Sequence, residues 1–101
     1  MEVKISPQAF IDLEDIKKYI ARDNEQTAVK YIGKLLNEAE KIGKNPSLGV
    51  YLERKINIPT NYQYWIYRPY LIFYKVENNR INVYRFIHGA RNYISVLDLE
   101  Q

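Results

Sequence analysis

The sequence predicts an α+β domain of order β-α-α-β-β-β-α, with a helical hairpin packed on one face of a small, mainly antiparallel sheet. Three observations predict it. EVKI at residues 2–5 alternates apolar and charged positions. Two successive stretches between Ser6 and Gly43 repeat their apolar residues every three or four positions. Three β-prone runs after residue 61 are then separated by breaks of turn length.

The first strand puts Val3 and Ile5 on one side and Glu2 and Lys4 on the other. Ser6 and Pro7 follow as an N-cap and a first helical residue, a place where proline's missing N–H costs nothing. Phe10, Leu13, Ile16 and Ile20 carry one apolar stripe to about Arg22. Asp12, Glu14 and Asp15 stand early in this helix, suit its dipole and read as part of a solvated face. Asp23 and Asn24 break the pattern and cap a second helix. Its stripe of Ala28, Tyr31, Ile32, Leu35, Leu36, Ala39 and Ile42 stops at Gly43, with Pro46 just beyond. So short a connection makes the two helices an antiparallel hairpin.

In the second half, YQYWIY (62–67), YLIFYKV (70–76) and RINVYRFI (80–87) read as strands joined by turns at Arg68-Pro69 and ENN (77–79). A short helix around 90–98 closes the chain through Ile94, Leu97 and Tyr93. Within 47–61, LERKINI fits a strand or an extended loop equally, and Pro59 limits a strand there to an edge. Helices on one face leave the other for water or a partner. Strands 70–76 and 80–87 carry apolar residues in both registers, so water alone does not suit that second face.

The 101 residues suit one domain over 1–101, and 47% hydrophobic residues supply a core without staples. The absence of cysteine excludes disulfides and thiolate metal sites and fits a reducing cytoplasm. No run of apolar residues is long enough to span a membrane, and MEVKISPQ has no signal-peptide core. A net charge of +3 fits either an ordinary basic surface or an anionic partner.

Most catalytic constellations are excluded. The four glycines are isolated, so no phosphate loop exists, and one histidine cannot build a histidine-rich metal site. No serine lies in a nucleophile-elbow context. No cofactor or metal is expected. What remains is a basic and aromatic C-terminal half. Arg54, Lys55, Arg68, Lys75, Arg80, Arg85, His88 and Arg91 are interleaved with eight of the ten tyrosines and with Trp65. Cations and rings together suit single-stranded RNA, and they equally suit an acidic peptide, while tyrosines are also plain strand formers. His88 before Gly89 reads as a turn-capping side chain or as a general acid–base group. Arg91 at the start of the last helix works against the dipole, which points to an anion.

The run YLIFYKV, ENNR, INVYRFIHGARNYISVL resembles the C-terminal half of the RelE/ParE family, toxins of two-protein toxin–antitoxin modules. There a pattern Y-L-I-F-Y-x-V leads through a turn into R-x-L-H-G-x-R-[DN] and a short helix. The S-P cap and the strand–helix–helix order agree. The likeness is strong over 67–97 and loose over 43–61. It implies a cognate antitoxin that docks on the sheet groove and beside the helices, in a toxin–antitoxin hetero-oligomer.

The family implies one of two targets. RelE-like members cut mRNA in the ribosomal A site with strand cations, an arginine beside the final turn and a helix tyrosine. Trp65 and Tyr67 fall where that pattern has lysines, Leu71 where it has an arginine and Leu97 where it has the tyrosine; only Arg91 matches. The missing cations tilt the resemblance to ParE-like members, which inhibit DNA gyrase by binding. For a nuclease, Arg91, His88 and Arg85 are the expected catalytic groups. For target or antitoxin binding, Arg68, Arg85, His88, Arg91, Tyr93, Trp65 and Tyr67 are the expected surface.

Overall fold

A computed structural model describes residues 1–99, so the last two residues of the expected domain lie outside it. Strand β1 (Glu2–Ile5) leads into helices α1 (Pro7–Ala21) and α2 (Glu25–Lys44). A 3-10 turn at Pro46–Leu48, strand β2 (Val50–Tyr51) and helical turn α3 (Glu53–Ile56) follow. Strands β3 (Gln63–Tyr67), β4 (Tyr70–Glu77) and β5 (Arg80–His88) precede a last helical turn, α4 (Tyr93–Val96). The five strands order β1-β5-β4-β3-β2, antiparallel except for the parallel pair β1–β5.

The caps are those the sequence predicts. Ser6 Oγ accepts from Ala9 N at 3.1 Å, and Asn24 Oδ1 accepts from Thr27 N at 2.9 Å. Asn78 and Asn79 both adopt positive φ, as a two-residue turn between Glu77 and Arg80 requires. The Arg68–Pro69 peptide is cis, in the turn that pairs Tyr67 with Tyr70.

Gly43 does not stop α2. The helix runs through it to Lys44, and a Cβ at Gly43 would collide with the Met1 carbonyl and Val3. That glycine lets β1 approach the helix. LERKINI gives the helical turn α3 instead of a strand, with Leu52 fully buried as its anchor.

Pleating sorts the apolar residues of β4 and β5 between two clusters. Ile72, Tyr74, Ile81, Val83 and Phe86 meet Ala9, Leu13, Ile16, Leu35, Ala39 and Ile42 of the hairpin. Phe73 and Ile87 go to the other side, where Leu52, Tyr64 and Leu97 pack on them. The second face is therefore partly covered by the chain's own α3 and α4 segments, contrary to the open face that the sequence suggests. Two four-residue turns, too short to show a periodicity, do the covering.

A register shift between Phe73 and Tyr74 leaves Tyr84 as an extra residue in β5, and β1 pairs β5 only as far as Val83. Beyond that point α1 takes over the exposed strand edge. Ser6 Oγ donates to the Tyr84 carbonyl, and Asp12 Oδ2 accepts from Phe86 N at 2.9 Å. Among the described residues no helix is long and apolar enough to cross a membrane.

Candidate functional site

The turn between β3 and β4 divides two hollows. One, a cleft of about 440 Å³, lies on the face that α3 and α4 partly cover. Its walls include Lys55, Tyr64, Arg68, Leu71 and Tyr93. The Lys55 ammonium stands 5.5 Å from the Tyr64 ring centre and 5.9 Å from that of Tyr93. Farther along the same sheet, Lys75 sits 4.4 Å from the Tyr62 ring and 5.1 Å from the Tyr84 ring. Ring faces hold both lysines upright and leave their charge at the surface. Tyr84 donates to Glu77 at 2.7 Å. That bond pushes the phenol up to about 12 and holds the Glu77 carboxyl below its usual range, with help from Asn82.

The sequence candidates divide among several places. Arg68 and Tyr93 share the cleft. Trp65 and Tyr67 face the hairpin instead. The Trp65 indole donates to Glu38 Oε1 at 3.0 Å, and the Tyr67 ring lies 6.0 Å from that of Tyr31. Residues of alternate parity in β3, Tyr64 and Ile66, line the cleft. QYWIY has no polar residue at its centre to fix the phase, so the alternation was unreadable. Lys55 belonged to the segment whose secondary structure was ambiguous.

Arg85 is an internal residue rather than an outward cation. Its Nε donates to Asp12 Oδ2 at 2.7 Å and its Nη2 to Asp12 Oδ1 at 2.9 Å. The side chains are 18% and 7% exposed. This fork raises the Arg85 pKa further, against the opposing effect of burial. Asp12, expected on a solvated face, is thus buried as the tie between α1 and the strand edge.

His88 lies on the helix side of the turn, in the second hollow, and its Nδ1 accepts from Ala90 N at 3.1 Å. That is the turn-capping geometry. Arg91 is exposed, but it precedes the Asn92 cap of a four-residue helix instead of standing at the start of the short final helix expected around 90–98.

The cleft brings Lys55 and Arg68 together with Tyr64 and Tyr93, side chains that suit an anionic or hydrogen-bonding partner. The family model for the ParE toxin of the type II toxin–antitoxin system, parDE, matches residues 3–93. The chain belongs to that family. A solved structure of the chromosomal ParDE toxin–antitoxin system from P. aeruginosa contains a chain of the same fold, with a TM-score of 0.73. The two are 18% identical, over 87% of this chain and 95% of that one, so the likeness speaks for the ParE fold alone. No curated protein matches the chain. In this ParE-family chain Leu71 lines the cleft together with Arg68 and Tyr93.

Proposed function

We propose that this ParE-family chain is a cytoplasmic toxin that arrests bacterial growth by binding and inhibiting DNA gyrase, and that a cognate antitoxin neutralises it. The observation that carries the reading is the character of the cleft wall. Leu71 lines it at the position where the RNA-cutting branch places an arginine. A leucine cannot stabilise charge on a pentavalent phosphate, and losing one such donor costs about 10²–10³ in rate. Lys55, Arg68 and Tyr93 nevertheless form a contact surface of the kind that partners bury, cationic and aromatic. The net charge of +3 suits an acidic antitoxin segment. The P. aeruginosa neighbour belongs to a ParDE pair, which supports a partner of that kind here.

Adding the purified chain to a gyrase supercoiling assay tests the proposal. Micromolar chain is expected to block supercoiling, and equimolar antitoxin to restore it. Full supercoiling at that concentration counts against gyrase as the target. The second reading is a ribosome-dependent mRNA endonuclease, favoured by the convergence of Lys55, Arg68 and Tyr93 in one cleft. It predicts in-frame cuts in transcripts after induction, abolished when translation is blocked.

A further inference from the structure

Lys55 and Lys75 are held in the same way. Each carries its ammonium over a pair of tyrosine rings, Tyr64 and Tyr93 for Lys55, Tyr62 and Tyr84 for Lys75. The buried Phe73 ring joins the two pairs. Its centre lies 6.5 Å from that of Tyr62, 5.9 Å from that of Tyr64 and 5.5 Å from that of Tyr93. Leu71, Phe73 and Lys75 occupy alternate positions of β4 and so point to one face of the sheet. Leu71 lines the cleft, and Lys75 stands on the far side of Phe73 from it.

Local structure does not account for Lys75. Lysines guard the exposed edges of sheets, but β4 is the central strand of five. Strand propensity disfavours the residue as well. Its ammonium also lacks a carboxylate partner: among the described residues the ion pairs are Lys41 with Glu38 and Arg85 with Asp12. Glu77, two positions on and on the same face, accepts instead from Tyr84 at 2.7 Å and from Asn82 at 3.0 Å. The Tyr84 bond is the chief cause of its low pKa, and the Lys75 charge is a lesser one. Lys55 is unpaired too, and among the described residues no acid lines the cleft that it shares with Arg68. The face thus presents three cations without a countercharge of their own.

A second copy of the chain would set lysine against lysine across a two-fold interface. An apolar partner would bury ammoniums without a partner, which is strongly unfavourable. A single-stranded nucleic acid needs free ring faces for its bases, yet each of these four tyrosines has an ammonium over its ring, and Tyr64 is only 5% exposed. Carboxylates along a peptide pair with the lysines and ask nothing of the rings. An extended chain advances about 3.3 Å per residue, so a short segment reaches from one lysine to the other. We propose that this face binds an extended acidic peptide segment of a partner protein, with one carboxylate at Lys55 and Arg68 in the cleft and a second at Lys75. The proposal rests on the reading of the cleft as a contact surface and names the chemistry of what lies on it. It does not rest on gyrase as the target.

An NMR titration of the whole chain tests this. Its probes are a blocked hexapeptide of alternating glutamate and valine, the same peptide with glutamine for glutamate, and a single-stranded DNA hexanucleotide. The glutamate peptide is expected to shift the amides around Lys55, Tyr64, Lys75 and Tyr84, and to lose affinity as salt is raised. The glutamine peptide is expected to bind more weakly. Lys55→Met and Lys75→Met keep a stem over the rings and remove the charge. Each is expected to weaken the glutamate peptide about 2- to 5-fold, as for a partly exposed ion pair, while Lys75→Arg retains it. Lys34→Met, an exposed site on α2, makes the same change in net charge and is expected to bind like wild type. Four results would overturn the proposal: no shifts at millimolar glutamate peptide, equal binding of the glutamine peptide, wild-type affinity in Lys75→Met, or tighter binding of the hexanucleotide at the same residues. The titration reads peptide binding directly, so a chain that spares gyrase can pass it and one that blocks gyrase can fail it.

Discussion

Asp12 shows how far one side chain can depart from its sequence neighbourhood. It lies between Ile11 and Leu13 in a helix with other acids, and nothing local marks it as buried. Its partners, Arg85 and the Phe86 amide, are more than seventy residues away, and only the tertiary fold joins them. A charge pair of this kind is costly to break from one side, because the survivor stays buried and unpaired. Asp12→Ala is therefore expected to destabilise the chain by about 3–5 kcal/mol in urea unfolding, against a smaller loss for Asp12→Asn. If Asp12→Ala unfolds at the wild-type urea midpoint, the tie is not structural. The same geometry explains why Arg85 was misjudged as a surface cation: composition counts arginines but not their partners.

At the scale of elements, legibility followed periodicity. The two long helices are readable because their apolar residues repeat a spacing, and the three long strands because β-prone runs alternate with turn-forming residues, with caps and asparagine turns at the ends. The segment from Pro46 to Ile58 was not. Its 3-10 turn, two-residue strand and helical turn are each shorter than a detectable period. Long-range contacts hold it instead. Tyr74 Oη donates within reach of the Pro46 carbonyl at 3.2 Å and of Gln63 Oε1 at 3.1 Å, and a Cβ on Gly49 would collide with that hydroxyl. Gly49→Ala is expected to cost about 1–3 kcal/mol by overpacking. Tyr74→Phe is expected to cost about 1 kcal/mol and to speed amide exchange of Leu52, whose N–H donates to Tyr62 O. Unchanged exchange at Leu52 in Tyr74→Phe would show that the segment is held elsewhere.

The whole molecule carries ten tyrosines, and its response to alkali follows from where they lie. Tyr31, Tyr74 and Tyr84 are pushed up to about 12, the first two chiefly by burial and Tyr84 chiefly by its bond to Glu77. Raised folded-state values mean that their contribution is complete below pH 10 and is lost as the pH climbs towards 12. Phenolate absorbance is expected to rise in two stages, with the later stage coinciding with loss of ellipticity. A single step near pH 10 would contradict this. At the acid end, hydrogen bonds from Lys41 and Trp65 outweigh burial and hold Glu38 down, as the Tyr84 bond does for Glu77. Stability from both carboxylates is present above pH 4.5 and declines as the pH falls through their lower native values.

The fold's outcome is one face where two short turns frame a cleft around Lys55 and Arg68, and the proposed toxin activity depends on that cleft. The most direct measurement is the concentration of chain needed to block gyrase supercoiling, compared between wild type and the Lys55→Ala/Arg68→Ala variant. Both side chains are exposed, so the variant is expected to fold like wild type by circular dichroism and thermal melting. Its half-inhibitory concentration is expected to rise about 10-fold or more, as for the loss of two anchoring interface cations. A folded variant that inhibits at the wild-type concentration would contradict the assignment of the cleft as the target-binding surface.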